Sequence, residues 1–220
     1  MWNSLIDRGD LYLKALEETW WMVSFGLTIS VLIGLPLGIL LVVTRPQHIY
    51  ENRFIYTVLN FIINILRSIP FIILMVAMFP ITAVIVGTKI GVKGAIPPLV
   101  FYTAPYIARL IESALLEVDR GLIEAFQAMG ASRQQIITKV LLKEARPSIT
   151  LAITIATIGL IGATAIAGVI GAGGLGDLAL RYGFHRYQSD VMIWTVIILI
   201  IIVQSIQSLG NFIAKRLRKN

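Results

Sequence analysis

EVDRGLIEAFQAMGASRQQIITKVLLKEARP, residues 117–147, is the longest charge-dense stretch in a chain otherwise dominated by long apolar runs. Asp119, Arg120, Glu124, Arg133, Lys139, Lys143, Glu144 and Arg146 all fall within it. So many charges are too costly to place in hydrocarbon, so the stretch lies in water. Asp119 is placed to cap a helix whose Leu122, Ile123, Phe126 and Met129 recur at helical spacing, and Gly130 supplies its stop. The chain then starts again. Ser132 followed by Gln135 has the capping-box arrangement, and Ile136, Ile137, Val140 and Leu141 make one stripe of a second helix running to the break at Arg146-Pro147. The stretch predicts an exposed elbow of two amphipathic helices.

Outward from the elbow the chain is of membrane type, with 57% of its 220 residues hydrophobic and only 14% charged. A span needs roughly 20 apolar residues, and runs of that length occur at about 19–43, 54–79, 95–116, 148–170 and 191–213. The expected fold is therefore all-α: a polytopic membrane helical bundle of five transmembrane helices with an exposed elbow at 117–147, as one domain over 1–220. The net charge of +7 does not point to nucleic acid, because the basic residues cluster at the ends of spans, where lipid headgroups meet them. With the elbow inside, 44–53, 109–147 and 214–220 hold twelve Lys and Arg, against six in 1–18, 80–94 and 171–190. The positive-inside rule then places the N-terminus outside and the C-terminus inside. The tail with Asp7, Asp10, Glu17 and Glu18 lacks the basic start, short apolar core and cleavage site of a signal peptide, so the first span is expected to direct insertion. With no cysteine, disulfides and thiolate metal sites are excluded.

Individual spans carry further signals. Trp20 and Trp21 open the first as an aromatic belt, and Gly34, Pro36 and Gly38 predict a bend in it. Asn60, Asn64, Arg67 and Ser68 lie within the second before Pro70 interrupts its helix. A central Arg costs about 2.5–3.5 kcal/mol on the insertion scale, so Arg67 should face protein or water. Two readings stand side by side: Asn64, Arg67 and Ser68 near a pathway or gate, or Arg67 paired with a carboxylate such as Glu112 or snorkelling to the surface. Arg109 and Glu112, at i and i+3 near the end of the third span, can pair. Ala152, Ala156, Gly159, Gly162, Ala163 and Ala167 give the fourth span a small-residue character suited to close packing; Thr157 and Thr164 are its candidates for lining a pathway.

GAGGLG at 171–176 matches G-x-G-x-x-G but follows an apolar span rather than a strand, so it does not read as a dinucleotide site. Gly171, Gly173, Gly174, Gly176 and Asp177 instead belong to a loop on the external side. The basic run KRLRK anchors the last span, and His48 and His185 are solitary, so no metal site is expected. No P-loop sequence and no nucleophile–base set is present, so no catalytic residues and no cofactor are expected.

Glu124-Ala125, Gly130, Val140 and Leu142 follow the spacing of the cytoplasmic EAA loop of ABC-importer permeases, with Phe126 in place of the second Ala and Lys143 in place of the closing Pro. LRSIPF, the glycine run before Asp177 and the five-span layout further resemble the methionine-importer permeases. The resemblance implies a transport subunit in the cytoplasmic membrane of a bacterium, without an ATPase site of its own. Its implied partners are an ABC ATPase subunit, an extracellular or periplasmic substrate-binding protein, a second copy of itself and membrane lipid. It assigns Leu122, Glu124, Ala125, Phe126, Met129 and Gly130 to ATPase coupling, since in that family the first elbow helix docks into a groove on the ATPase. The competing reading of the elbow alone is an amphipathic helix lying on the membrane surface. Other cargoes in reach are another small amino acid or a short peptide. A secondary transporter would call for an inverted repeat, which five spans do not divide into, and a channel gives the elbow no use.

Overall fold

The computed structural model describes residues 8–218; Asp7 of the acidic tail and Lys219 of the basic run lie outside the described residues. Among the described residues the chain is helical, without strands. Its first half comprises α1 (Gly9–Thr44), α2 (Arg53–Ser68), α3 (Phe71–Ala77), α4 (Phe79–Val86) and α5 (Gly91–Leu116). The elbow follows, with α6 (Arg120–Ala128), α7 (Arg133–Gln135), a π-helical segment π1 (Ile136–Leu141) and α8 (Leu142–Glu144). The rest is α9 (Arg146–Val169), α10 (Gly174–Leu178), a second π-helical segment π2 (Ala179–Phe184) and α11 (Ser189–Arg218).

Four of these helices, α1, α5, α9 and α11, are long and apolar enough to cross a membrane, and the bent pair α2 and α3 makes a fifth crossing if taken as one span. The pair breaks at Ile69-Pro70, where the chain bends by 99°. Pro70 has no N–H to continue the ladder and disfavours helix at the residue before it, so the expected interruption becomes a sharp corner. Two boundaries differ from expectation. The stretch 80–94 contains α4, which has Pro80 in its first turn and ends at Gly87 with φ +77. The first helix begins at Gly9, ten residues ahead of the apolar run, because Tyr12 and Ala15 bury against Leu175, Leu178 and Val191.

Two compact units share the long helices. One consists of Met1–Ser30, Ile69–Thr103 and Thr157–Gln207. Its core joins Met22, Met75, Leu99, Leu160, Ala163 and Ala167, with the Phe71 ring tilted on Tyr102 at 5.1 Å. The other consists of Val31–Ser68, Ala104–Ala156 and Ser208–Asn220. There Leu41, Ile63 and Ala108 pack together, and α1 lies close against α5. A Cβ at Gly34 would stand 2.6 Å from the Ala104 carbonyl oxygen, and one at Gly38 2.7 Å from that of Ala108. The two glycines thus permit backbone approach, four residues apart on one face. The helix continues through Pro36 without interruption.

Candidate functional site

The elbow is built by its caps. Asp119, with extended backbone, accepts a hydrogen bond on its carboxylate from the Leu122 N–H at 3.1 Å, which opens α6 as expected. At the other end the Gly130 N–H donates to the Gln127 carbonyl and the Ala131 N–H to the Phe126 carbonyl, each at 3.0 Å. This is a Schellman closure, and Gly130 holds the left-handed φ of +80 that it needs. Two residues on, Ser132 Oγ accepts from the Gln135 N–H at 3.3 Å while Gln135 Oε1 accepts from the Ser132 N–H at 2.8 Å, the expected capping box. Ile136, Val140 and Leu141 are buried and seat the second arm. At the base, Ser148 Oγ donates to the Glu117 carboxylate at 2.5 Å, joining the segment after α5 to the start of α9.

The apolar residues of α6 divide between two faces. Ile123 is buried, Leu122 and Phe126 are half-buried, and all three serve to hold the helix down. Glu124, Ala125 and Ala128 are exposed, and Met129 is 70% exposed at the tip. The outward surface is therefore a low face of small residues with one flexible thioether and one carboxylate.

His48 and Ile49, in the loop after α1, share a cleft of about 250 Å³ with Arg120, Ile123, Glu124 and Gln127. Burial, and then the Arg120 and Arg45 guanidinium groups, hold the His48 imidazole below its ordinary value, so it is kept neutral. The sequence showed His48 only as a solitary loop residue. Its signal was its place directly after a span, on the same side as the elbow.

Of the pathway candidates, Asn64 and Ser68 meet on α2, where Ser68 Oγ donates to the Asn64 carbonyl at 2.8 Å, and Arg67 is exposed beside them. Thr157 and Thr164, in the other unit, are both buried, and the Thr164 hydroxyl donates to the Ile161 carbonyl at 2.7 Å. Glu112 pairs with Arg109 at 2.5 Å, as its i, i+3 spacing predicts, and so is not the partner of Arg67. The same guanidinium donates to Asn60 Oδ1 at 2.6 Å and Asn64 Oδ1 at 2.8 Å, tying α5 to α2. Sequence reasoning found the Arg109–Glu112 pair but not the ties of Arg109 to α2, for which Asn60 and Asn64, one turn apart, were the available sign.

The glycine run makes a tight turn, with φ of +88, +83 and +85 at Gly171, Gly173 and Gly174. Glu18 accepts from the Gly174 N–H at 2.7 Å and Thr19 Oγ1 from the Leu175 N–H at 2.9 Å, pinning the turn to α1. Gly176 lies against the backbone of Ala165, where no side chain fits. Asp177 pairs with Arg181 at 2.9 Å. Lys14, Glu18, Gly171, Asp177, Arg181 and Tyr182 are among the residues lining a cleft of about 330 Å³ here.

Residues 34–219 match the family model described as the binding-protein-dependent transport system inner membrane component. A probable D-methionine transport system permease protein, MetI, of Vibrio cholerae is 49% identical over 209 residues, covering 95% of this chain and 93% of that protein. The methionine import system permease protein MetP of Bacillus subtilis is 43% identical over 180 residues, 82% of this chain and 81% of that one. Among solved structures, the inward-facing MetNI methionine ABC transporter contains a chain that superposes with a TM-score of 0.93 at 46% identity, covering 96% of this chain and 98% of that one.

Proposed function

The chain belongs to the family of binding-protein-dependent transport system inner membrane components, and from that premise we propose that it is the permease subunit of an ATP-driven importer of methionine. Residues 1–220 act as one permease domain in the inner membrane, and 117–147 are its coupling loop. ATP is hydrolysed by a partner subunit. A substrate-binding protein delivers the amino acid outside, lipid surrounds the spans, and a second copy of this chain completes the path. The open stripe Leu151, Ile155, Gly159, Gly162, Ile166 and Val169 on α9 supports association of two copies, since these residues are exposed along one side of a small-residue helix.

The coupling role is carried by the outward face of α6. Ala125 and Ala128 let a groove wall approach the helix backbone, Met129 fills an irregular pocket, and Glu124 fixes orientation through one charge. The caps at Asp119 and Ser132 and the closure at Gly130 hold this face at a set angle to the arm that leads into α9. Asn64, Arg67 and Ser68, polar and exposed on α2, are proposed to line the path or its gate, and Thr157 and Thr164 to serve packing within α9. The glycine turn from Gly171 to Asp177 forms part of the external entrance. The bias of twelve basic residues against six supports an external N-terminus and an internal C-terminus.

The test is reconstitution with the ATPase subunit and the binding protein in vesicles, with ATP hydrolysis and methionine uptake measured together. Glu124→Lys and Gly130→Pro are expected to insert normally and to lower the uptake obtained per ATP hydrolysed, Gly130→Pro also weakening retention of the ATPase. Wild-type values of both rates in both variants would sink the coupling role. For orientation, single cysteines replace Ser4 or Ser132 in this cysteine-free chain. Labelling of Ser4→Cys only from inside intact cells, or of Ser132→Cys only from outside, overturns the topology.

A further inference from the structure

We propose that the loop between α1 and α2, residues 45–52, is a splint laid across the Gly130 hinge, so that both arms of the elbow and the end of α1 move as one body; this rests on the coupling role just proposed. Gly130 gives the elbow its angle but also a weak point. A glycine at φ +80 has wide backbone freedom, and a force on the outward face of α6 could be absorbed by rotation there. Something must hold the angle if that force is to reach the spans.

The loop is built to be stiff. The Tyr50 N–H donates to the Val43 carbonyl at 2.8 Å and the Asn52 N–H to the Thr44 carbonyl at 2.9 Å, folding the loop back onto the last turn of α1. Gln47 takes a left-handed φ of +62, and its N–H donates to the Glu51 carboxylate at 3.1 Å. Asn52 Oδ1 accepts from the Ile55 N–H at 3.0 Å and so caps α2. With both ends welded to helices, the middle has little freedom left.

That middle reaches both sides of the hinge. Ile49 is buried, and it and His48 share their cleft with Arg120, Ile123, Glu124 and Gln127. These four positions stand at i, i+3, i+4 and i+7 and form one stripe along α6, with Glu124 at the border that this stripe shares with the outward face. The next residue, Tyr50, presents its ring to the Arg133 guanidinium at 5.0 Å, and Arg133 is the first residue of α7. Three consecutive loop residues thus stand beside the arm before Gly130 and touch the arm after it. His48, kept neutral, adds no repulsion against Arg120 on the first side.

The experiment uses the complete reconstituted importer. Tyr50→Leu and Arg133→Gln each remove one half of the cation–π contact, and Tyr50→Phe keeps the ring. The splint predicts that Tyr50→Leu and Arg133→Gln each lower methionine uptake per ATP several-fold with the ATPase still bound. The double variant is then no worse than either single one, and Tyr50→Phe retains the wild-type ratio. A second measurement needs no loss of packing. Spin labels on the exposed pairs Gln47→Cys with Gln127→Cys, and Gln47→Cys with Gln134→Cys, report the within-subunit distances from loop to each arm. Both distances stay constant between the nucleotide-free and ATP-trapped states if the loop is a splint. A change in either distance, or wild-type coupling in Tyr50→Leu and Arg133→Gln, overturns it. Glu124→Lys run in parallel separates the two ideas: if it uncouples while the Tyr50 and Arg133 variants do not, only the splint is wrong, and if it too behaves as wild type, the elbow's coupling role has failed.

Discussion

Gly38→Ala should destabilise the subunit even though the same change in an open helix stabilises it. In a helix interior Ala is favoured over Gly by about 0.8–1 kcal/mol. At Gly38 the new methyl would sit 2.7 Å from the Ala108 carbonyl oxygen and 2.7 Å from Ile111 Cβ. Ordinary contact begins near 3.4 Å, so α1 and α5 must part by several tenths of an ångström. The rim of that contact includes Leu41, Val42, Ala108 and Ile111, all buried, and every one of them loses close partners when the helices separate. Overpacking of this kind costs about 1–3 kcal/mol, which after the propensity gain leaves a net loss of roughly 0–2 kcal/mol. Gly162 is the internal control, because a Cβ there meets nothing within 4 Å inside the chain. Gly162→Ala should be neutral or stabilising in the isolated subunit by up to about 1 kcal/mol. Trimming the neighbour with Ile111→Val should rescue Gly38→Ala little, since that change leaves Cβ and Cγ2 in place and the Ala108 carbonyl is backbone. Gly34→Ala combined with Gly38→Ala should cost less than the sum, as one separation of α1 from α5 serves both. The assay is thermal unfolding of the detergent-solubilised subunit. If Gly38→Ala raises the midpoint as much as Gly162→Ala, the two helices are not in backbone contact and the reasoning is wrong.

Three further outcomes follow from the same packing and charge arguments. Because the pKa of His48 is lowered in the fold, the stability tied to its neutral form is fully present above about 6.5 and is lost as pH falls through the lowered value. Acid unfolding curves should therefore flatten in His48→Gln, with Arg45, Arg120 and Glu124, the charged groups around the ring, left in place. Glu112→Ala leaves the Arg109 guanidinium without its anion in a mostly buried site and should cost about 3–5 kcal/mol, with Glu112→Gln closer to wild type because it keeps an acceptor. The check is midpoint shifts in chemical or thermal unfolding. Gly159→Leu and Gly162→Leu, on the open stripe of α9, should leave the single subunit folded but reduce the size of the assembled complex in gel filtration. Wild-type assembly and transport in both would remove that stripe from the subunit interface.

How far the sequence could be read depended on whether a feature was local. The elbow was legible because its caps act over three residues: Asp119 to Leu122, and Ser132 to Gln135, are pairings that spacing alone specifies. The Pro70 break was legible for the same reason. Features set by distant packing were not. The first ten residues of α1 carry Asp10, Lys14, Glu17 and Glu18 and fail a lipid criterion, yet Tyr12, Ala15 and Thr19 keep helical spacing and find partners more than 150 residues away. Gly34 and Gly38 were visible as small residues flanking Pro36, but only the position of α5 reveals them as a place of contact. The burial of Ile123, which shares a cleft with His48 and Ile49, against the exposure of Met129 likewise depends on where the 45–52 loop sits. Arg67 drew attention as the charge deepest in an apolar run, whereas Arg109, placed near a helix end, proved to be the residue that joins α2 and α5.

The bonds from Glu18 to Gly174 and from Thr19 to Leu175 each close over 156 residues. A ribosome adding about 5–20 residues per second takes about 8–30 s to make that length of chain. Throughout that interval the first helix is in existence while the turn it will hold has not been made, and its carboxylate and hydroxyl wait with other partners or with water. Completion of the N-terminal end of the molecule is therefore one of the last events of its biogenesis. A chain stalled or truncated before residue 174 would expose Glu18 and Thr19 in α1 as a mark of its unfinished state.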